Sequence, residues 1–207
     1  MKKGFTRKLA FLLAIVITMM CDFQGAGFGI LTAMADDNSK IITKTAPAGT
    51  GTSEDPFKIG TTEELYWFAD KVNNESETYK SANVVLTNDI VVNENVLKDD
   101  GTLNDGDFRA WTPIRPDSWY SYTGTFDGAG HTISGLYFNS ENQTGGFFET
   151  LKGTITNLGI IDSYFCGDYG TSIICKSNQG TISNVYTSGA IFTNSGSIGG
   201  VVDENYG

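Results

Sequence analysis

The chain contains few of the residues that bind metals or nucleic acids. Among its 207 residues there are one histidine, three cysteines and 14 basic residues. One imidazole and so few thiols do not make up a four-ligand zinc site. A glycine-rich phosphate loop is also missing, because Gly128-Ala129-Gly130 precedes a predicted strand and not a helix. The sequence therefore predicts no metal site and no cofactor.

A long apolar run is absent as well. The mainly apolar run over residues 9–20 has 12 positions, whereas a membrane-spanning helix needs about 20. It follows four basic residues and precedes Ala33-Met34-Ala35, a small-x-small cleavage site. This pattern predicts a signal peptide over residues 1–35, cleaved after Ala35, and a secreted or cell-surface protein with no stable membrane span after its removal. A retained anchor or a lipid on Cys21 is the less favoured alternative.

Positive charge is scarce in the remainder of the chain. Residues 36–207 hold 10 basic and 23 acidic residues, which is a formal net charge of −13. A domain this acidic repels nucleic acid and anionic membrane surfaces, so neither is expected as a partner. The same charge would help to keep an exported protein soluble.

What the chain does contain is a repeat. Gly153, Gly180 and Gly207 recur at one constant interval, and the first two open the phrases Gly-Thr-Ile-Thr-Asn-Leu and Gly-Thr-Ile-Ser-Asn-Val. The units show no sustained helical spacing. About 27 residues suffice for three short strands with their turns, and stacking such units pairs each strand in parallel with its copy. The repeat therefore predicts an all-β fold, a parallel β-helix, in which Ile155 and Ile182 lie one above the other.

Three further features of the repeat lead to expectations. The structural repeat positions are Gly153, Ile155, Asn157 and Leu158, followed by Gly180, Ile182, Asn184 and Val185. Asparagine tolerates the left-handed backbone of a corner, so Asn157 and Asn184 are expected to stack and to hydrogen-bond, although turn propensity alone also explains them. Thr132-Ile133-Ser134 matches Thr154-Ile155-Thr156 after a shorter step, as a looser earlier copy.

The two cysteines beyond the signal peptide are Cys166 and Cys175. Export permits a disulfide between them. However, Cys175 shares its repeat position with Phe148 and Val202, which are predicted core residues. A free buried thiol is therefore the favoured state of Cys175.

The best helix outside the signal peptide is predicted at 61–73. It has a threonine cap, an acidic first turn and an apolar stripe formed by Leu65, Phe68, Ala69 and Val72. Laid across the first strands, it would cover their open edge. The predicted divisions are a signal peptide (1–35), a linker (36–53), an N-terminal cap with the first coils (54–122) and the β-helix repeats (123–207). The last repeat is incomplete and its end is uncapped, so we expect the natural product to continue.

Several phrases resemble segments of secreted bacterial β-helix proteins. They are Glu54–Ile59, Thr62–Ala69, Val85–Ile90, Trp111–Ile114 and Tyr122–Leu136. Gly145-Gly-Phe-Phe148 and Gly199-Gly-Val-Val202 resemble the start of GLUG-type repeats, from which Ser172-Ile173 departs in the middle unit. The resemblance covers roughly 49–207. It implies a right-handed, pectate-lyase-like parallel β-helix in an adhesin-like surface protein, and it brings no catalytic residue.

Four groups of side chains are candidates for binding or chemistry. They are Trp119, Tyr120 and Tyr122 for stacking on sugar rings or covering the first coils, Asp99, Asp100, Asp105 and Asp107 for calcium, Asp162 and Asp168 as paired carboxylates, and His131 as a general base. The acidic loop lacks the Asp-x-Asp-x-Asp-Gly spacing, so a solvated loop is expected there. Neither Asp162 nor Asp168 recurs in the repeat, and His131 is expected to be a turn residue.

The leading functional hypothesis is an exported, non-catalytic β-helix domain of a bacterial cell-surface or secreted protein. It would serve adhesion or display, with an unidentified surface glycan or protein as partner. A polysaccharide-active lyase or glycosidase is the first alternative, although a uronate lyase would need more cations than this sequence offers. Spacer repeats of a larger surface peptidase are the second alternative.

Overall fold

The computed structural model of the protein describes residues 42–116 and 121–207. The predicted signal peptide, the first part of the predicted linker, and Trp119 and Tyr120 lie outside the described residues. The described residues belong to one unit, Ile42–Gly207. None of their helices is long and apolar enough to cross a membrane.

The described chain is mostly β-strand, with two helices near its start. The helices are α1 (Thr62–Asn74) and α2 (Ser76–Tyr79). The strands are β1 (Phe57–Ile59), β2 (Val84–Leu86), β3 (Ile90–Val91), β4 (Thr125–Asp127), β5 (Thr132–Ser134), β6 (Tyr137–Asn139), β7 (Phe148–Leu151), β8 (Thr154–Gly167), β9 (Thr171–Ser172), β10 (Cys175–Asn178), β11 (Thr181–Thr193), β12 (Ile198–Gly199) and β13 (Val202–Asn205). Among these strands every pairing is parallel, as the repeat predicts.

Strands from successive repeats lie in register. Ile155 of β8 faces Ile182 of β11, and Leu158 faces Val185. Cys175 of β10 lies between Phe148 of β7 and Val202 of β13. Residues one repeat apart therefore occupy equivalent places in neighbouring layers, and their backbones hydrogen-bond from layer to layer.

Strand β8 changes direction at residues with a left-handed backbone. Asn157 and Asp162 have φ angles of 52° and 50°. They divide β8 into three sections, which pair in turn with β4, β5 and β6 of the preceding layer. Strand β8 thus contains three straight sections with two corners, and β9 and β10 follow within the same unit, so one unit has more strands than the three that the repeat predicts.

The looser copy of the repeat was predicted in the wrong register. Ile133 lies opposite Ile160, and it is Phe126 that lies opposite Ile155. Ile133 and Ile160 have the same separation along the sequence as equivalent residues of the later repeats, whereas the separation of Phe126 and Ile155 is slightly larger. The cause is the turn between β4 and β5, which is longer than the corner at Asn157 and contains the left-handed residues Ala129 and Gly130.

One residue is missing from the last long strand relative to the repeat. Thr187 pairs with Ile160 at the full repeat spacing, whereas Gly189 pairs with Ser163 at a spacing that is shorter by one position. Because side chains alternate between the two faces of a strand, this shift reverses the faces of the residues that follow. Phe192 consequently lies outside and is 49% exposed, although Phe165, one repeat earlier, is fully buried.

The apolar interior is rich in aromatic rings around the first layers. Phe126, Phe147 and Phe148 pack edge to face, with ring centroids 5.0–5.9 Å apart. Tyr122 is fully buried, and its ring lies 4.9 Å from that of Phe148. Its hydroxyl donates to the carbonyl oxygen of Ala82 at 2.7 Å, which satisfies the only polar atom of the side chain inside the core.

Helix α1 covers this interior at its N-terminal side. Thr61 caps the helix by accepting from the backbone N–H of Glu64, whose carboxylate accepts in return from the N–H of Thr61. The ring of Phe68 lies 6.0 Å from Tyr122 and 6.1 Å from Phe126. The sequence predicts this helix within one residue of its observed bounds. Helix α2, a single turn, was not predicted.

Part of the predicted linker is folded against β1. Lys58 donates its N–H to Ala48, and Asn83 donates its N–H to Gly51. Gly51 is buried, and a side chain there would overlap the ring of Phe57. Residues 45–53 therefore differ from the predicted free connection. Their glycines allow a close approach to β1 that a linker composition does not reveal.

The last strands have partners on one side only within the described residues. Strand β11 pairs with β8, β12 with β9 and β13 with β10. The exposed large apolar residues of this end are Tyr186, Phe192, Ile198 and Tyr206.

Asparagine side chains form a column at one corner of the layers. Asn184 donates its amide N–H to the side-chain oxygen of Asn157 at 2.8 Å, and Asn157 donates to the carboxylate of Asp127 at 3.0 Å. Both asparagines have φ near +50°. The side chains thus connect three successive layers while the backbone turns.

Replacing Asn157 with glycine is expected to lower the free energy of unfolding by about 1.5 kcal/mol, because the left-handed corner is kept but the side-chain bonds are lost. Replacing it with alanine should cost about 1 kcal/mol more, since alanine resists that conformation. Urea unfolding of the two variants measures both effects. A glycine variant as stable as the parent would show that the column contributes nothing.

Candidate functional site

A cleft of the described surface lies beside helix α1. Its volume is about 740 Å³, within the usual range of ligand pockets. One wall is a face of the helix that carries Tyr66, Ala69, Asp70 and Asn73. These positions follow the i, i+3, i+4, i+7 spacing that places side chains on one side of a helix.

The second wall is the segment 111–116, which hydrogen bonds hold against the helix. Tyr66 donates its hydroxyl proton to the carbonyl oxygen of Ala110 at 2.9 Å. Asn73 donates to the carbonyl of Pro113 at 3.0 Å and accepts from the N–H of Arg115 at 2.6 Å. Burial raises the pKa of Tyr66 far above its ordinary value, so its hydroxyl stays a donor at all physiological pH values. The two walls are therefore tied together without a ligand.

Charges in the cleft occur as pairs of opposite sign. Arg115 lies 3.2 Å from the carboxylate of Glu149, and Lys44 lies 2.5 Å from that of Asp70. All four residues line the cleft. The four charges cancel, so the cleft is neutral within a strongly acidic domain.

Trp111 borders the cleft and is itself buried. Its ring stacks on Phe147 at 5.0 Å and meets the edge of Tyr66 at 5.4 Å. The side chain is only 2% exposed, and its indole N–H has no hydrogen-bond acceptor. A buried donor without an acceptor costs about 1–3 kcal/mol unless another group satisfies it.

Of the three aromatic residues predicted to stack on sugars, Tyr122 cannot do so. It is fully buried between Phe68 and Phe148, and its hydroxyl is bonded to Ala82. It belongs to the packing of the first layers, which was the alternative prediction. Trp119 and Tyr120 lie outside the described residues.

The acidic loop does not gather its carboxylates around one point. Asp100 accepts from both the N–H and the hydroxyl of Thr102, which lowers the pKa of Asp100. Asp105 lies 3.8 Å from Lys98. Across residues 42–116 and 121–207 no three histidine, cysteine or acidic side chains are placed to hold a metal ion, and this includes Asp99 and Asp107.

His131 and the paired aspartates are parts of turns. The Nδ1 atom of His131 lies 3.3 Å from the carboxylate of Asp89, which also accepts the N–H of Thr132. These contacts lower the pKa of Asp89, with the backbone bond from Thr132 as the largest cause. Asp168 accepts from the hydroxyl of Ser195 and from the N–H of Tyr169. Asp162 occupies a left-handed corner.

Both described cysteines are free thiols. Cys175 is fully buried, whereas Cys166 is partly exposed. Burial raises the pKa of Cys175 to about 12. The folded state therefore keeps this proton as the pH rises past the ordinary value of 9.0, whereas the unfolded chain loses it. The contribution of the neutral thiol to stability is complete below pH 9.0 and declines as the pH approaches about 12.

In a Cys21→Ser background at neutral pH, iodoacetamide is expected to modify Cys166 but not Cys175. The thiolate is the reacting species, and both burial and the raised pKa suppress it at Cys175. Mass spectrometry of the labelled peptides measures the result, with guanidinium-unfolded protein as the control in which both react. Equal labelling of the two thiols in the folded protein would contradict the buried position of Cys175.

Sequence reasoning missed the cleft, although part of its signal was present. The apolar stripe of α1 predicted the buried face of the helix, and Tyr66, Ala69, Asp70 and Asn73 form a second stripe beside it. Trp111 is buried in the core and also borders the cleft. The partners of these residues, such as Glu149, come from another layer and have no local signal.

Comparison with known proteins finds one relevant similarity. No family model matches the chain, and no solved structure matches it. The chain is 31% identical over 159 residues to halomucin of Haloquadratum walsbyi. The match covers 74% of this chain but 2% of halomucin, so the chain spans only a small part of the length of that relative.

Proposed function

We propose that the protein is an exported, non-catalytic domain of a cell-surface or secreted protein. It would be built as a right-handed parallel β-helix of GLUG-type repeats and would display its surface for adhesion. The observation that carries the proposal is the parallel, in-register stacking of β7, β10 and β13 and of β8 and β11. Stacked repeats of this kind make extended surfaces on which binding residues are presented.

The side chains that could act as a general acid or base support a non-catalytic role. Asp70 and Glu149, the two carboxylates of the cleft, are each paired with a cation. His131 contacts a carboxylate at a turn, and it does not line the cleft. A general acid or base needs a free proton-transfer position next to a substrate, which these paired groups do not offer.

The comparison supports an extracellular location. Halomucin is a cell-surface protein of a halophile, and the similarity extends over most of this chain. The predicted signal peptide is consistent with export. The proposed role in adhesion has a different basis, namely the cleft and the extended surface of the stacked strands.

The location is tested by expressing the chain in a bacterial host with a C-terminal epitope tag. We expect the tag in the medium or accessible to antibody on intact cells, and we expect loss of export when residues 1–35 are deleted. Retention of both forms inside the cell would overturn the proposal. Incubation of the purified protein with pectin-like polysaccharides should release no reducing ends, and reproducible release would favour the enzyme alternative.

A further inference from the structure

Two segments of the chain match the acceptor pattern for N-linked glycosylation, which is Asn-x-Ser/Thr with x other than proline. They are Asn74-Glu75-Ser76 and Asn142-Gln143-Thr144. In an exported protein such a segment becomes a modification site when an enzyme can reach both its asparagine and its hydroxyl residue. The structure places the two segments in very different surroundings.

The second segment lies in the loop that joins β6 to β7. Asn142 and Gln143 are exposed, and Thr144 is half-buried and borders the cleft beside α1. In the part of the chain that the structure describes, no hydrogen bond engages the side-chain amide of Asn142 or the hydroxyl of Thr144. Both groups that the enzyme must contact are therefore available in the folded protein.

The backbone on either side of Asn142 is fixed to the next layer. Ser140 donates its N–H to the carbonyl oxygen of Cys166 at 3.0 Å. The carbonyl oxygen of Gln143 accepts from the N–H of Asp168 at 2.7 Å. The loop thus keeps Asn142 exposed between two anchored positions, and a glycan on this residue would not require any layer to open.

The first segment is held in the junction of the two helices. Asn74 is the last residue of α1, and its amide donates to the carbonyl oxygen of Asp70 at 3.1 Å and to the carboxylate of Asp70 at 3.0 Å. Ser76 is the first residue of α2 and is only 9% exposed. An enzyme that needs both side chains would have to open the end of α1, so this segment is a poor acceptor in the folded protein.

We propose that Asn142 is an acceptor site for an N-linked glycan, which an oligosaccharyltransferase transfers from a lipid-linked oligosaccharide diphosphate. The amide nitrogen of Asn142 forms a bond to C1 of the first sugar, and the bond from C1 to the diphosphate oxygen breaks. The lipid diphosphate leaves with that electron pair, and a basic group of the enzyme takes the amide proton. The transfer involves no change of oxidation state.

The inference goes beyond the proposed display function and depends on it only through export. Gln143, the neighbour of Asn142, lines the cleft, so the glycan would stand at the edge of the cleft. Export is measured in cells, whereas acceptor activity is measured on the purified chain. The two proposals can therefore fail separately.

The experiment incubates the purified, folded protein with a lipid-linked oligosaccharide and a single-subunit oligosaccharyltransferase that recognises Asn-x-Ser/Thr alone. Synthetic peptides of residues 138–148 and 70–80 give the intrinsic rate for each segment, and mass spectrometry measures occupancy. We expect the folded protein to be modified at Asn142. The ratio of the rate in the protein to the rate in the peptide should be at least about tenfold higher for Asn142 than for Asn74, because use of Asn74 breaks two hydrogen bonds and opens a helix end.

Variants separate the acceptor role from a general effect on folding. Thr144→Ser keeps the hydroxyl and should retain modification, whereas Thr144→Val keeps the shape without the hydroxyl and should lose it. Asn142→Gln should abolish modification, and the matched control Asn74→Gln should leave it unchanged. The proposal is overturned if neither the folded protein nor the peptide 138–148 is modified, if the peptide alone is modified, if Asn142→Gln retains the glycan, or if the two segments give equal ratios.

Discussion

Replacing Gly153 with alanine is expected to lower the free energy of unfolding by about 3 kcal/mol or more. An added Cβ would lie 2.0 Å from the carbonyl oxygen of Gly124 in the preceding layer. That oxygen accepts the N–H of Thr154 at 2.9 Å, so relief of the clash would stretch a bond between the layers. Because the obstacle is backbone, no side-chain rotation can remove it.

The same geometry recurs at the next layer, and the chain supplies a matched control. A Cβ on Gly180 would lie 2.1 Å from the carbonyl oxygen of Gly153. Gly200 has nothing within 4 Å of its Cβ position and no positive φ, so Gly200→Ala should change stability by about 0.5 kcal/mol or less. Guanidinium unfolding of the three variants measures the difference. Equal midpoints for Gly153→Ala and Gly200→Ala would show that the glycine column is not required for stacking.

Truncation of Phe126 to alanine is expected to destabilise the protein by about 3–5 kcal/mol. Its ring is fully buried and contacts Phe68 of the helix and Phe147 and Phe148 from another side of the same layer. Its loss would leave a cavity that rings fixed by their own neighbours cannot close.

The control for this prediction is Phe192→Ala on the outer face of β11. Phe192 is 49% exposed and its ring packs against Tyr164, so its truncation should cost about 1 kcal/mol or less. Thermal unfolding followed by near-ultraviolet circular dichroism reports both variants. If the two truncations lowered the transition temperature equally, the assignment of Phe126 to the interior and Phe192 to the surface would be wrong.

The repeat predicted the pairing of residues correctly wherever its interval along the sequence is constant. The constant interval predicted the neighbours of Ile155, Leu158 and Cys175, because parallel strands pair residues at equal positions in successive layers. It misplaced Ile133, since a turn of different length precedes it and the match to Ile155 at a shorter step was coincidental. It also gave no sign of the shift after Thr187, whose effect is visible only in which face Phe192 occupies.

The candidate site was much less predictable. The aromatic residues chosen from sequence included Tyr122, which is chemically suited to a sugar but is enclosed by the first layers. The aromatic residues that line the cleft are instead Tyr66 and Trp111, which lie far apart along the chain. Nothing local distinguishes a tyrosine that packs inside from one that lines a surface.

The amino-acid sequence by itself determined the strand-rich character, the parallel pairing at one constant interval, the capped helix and the acidity of the surface. Each of these follows from local spacing, turn chemistry or summed charge. The tertiary structure alone decided which aromatic rings are enclosed, which charges are neutralised in pairs, and where Trp111 retains an unused N–H. Those outcomes depend on contacts between segments far apart in the chain, such as helix α1 with residues 110–115, and they arise only when the layers are stacked.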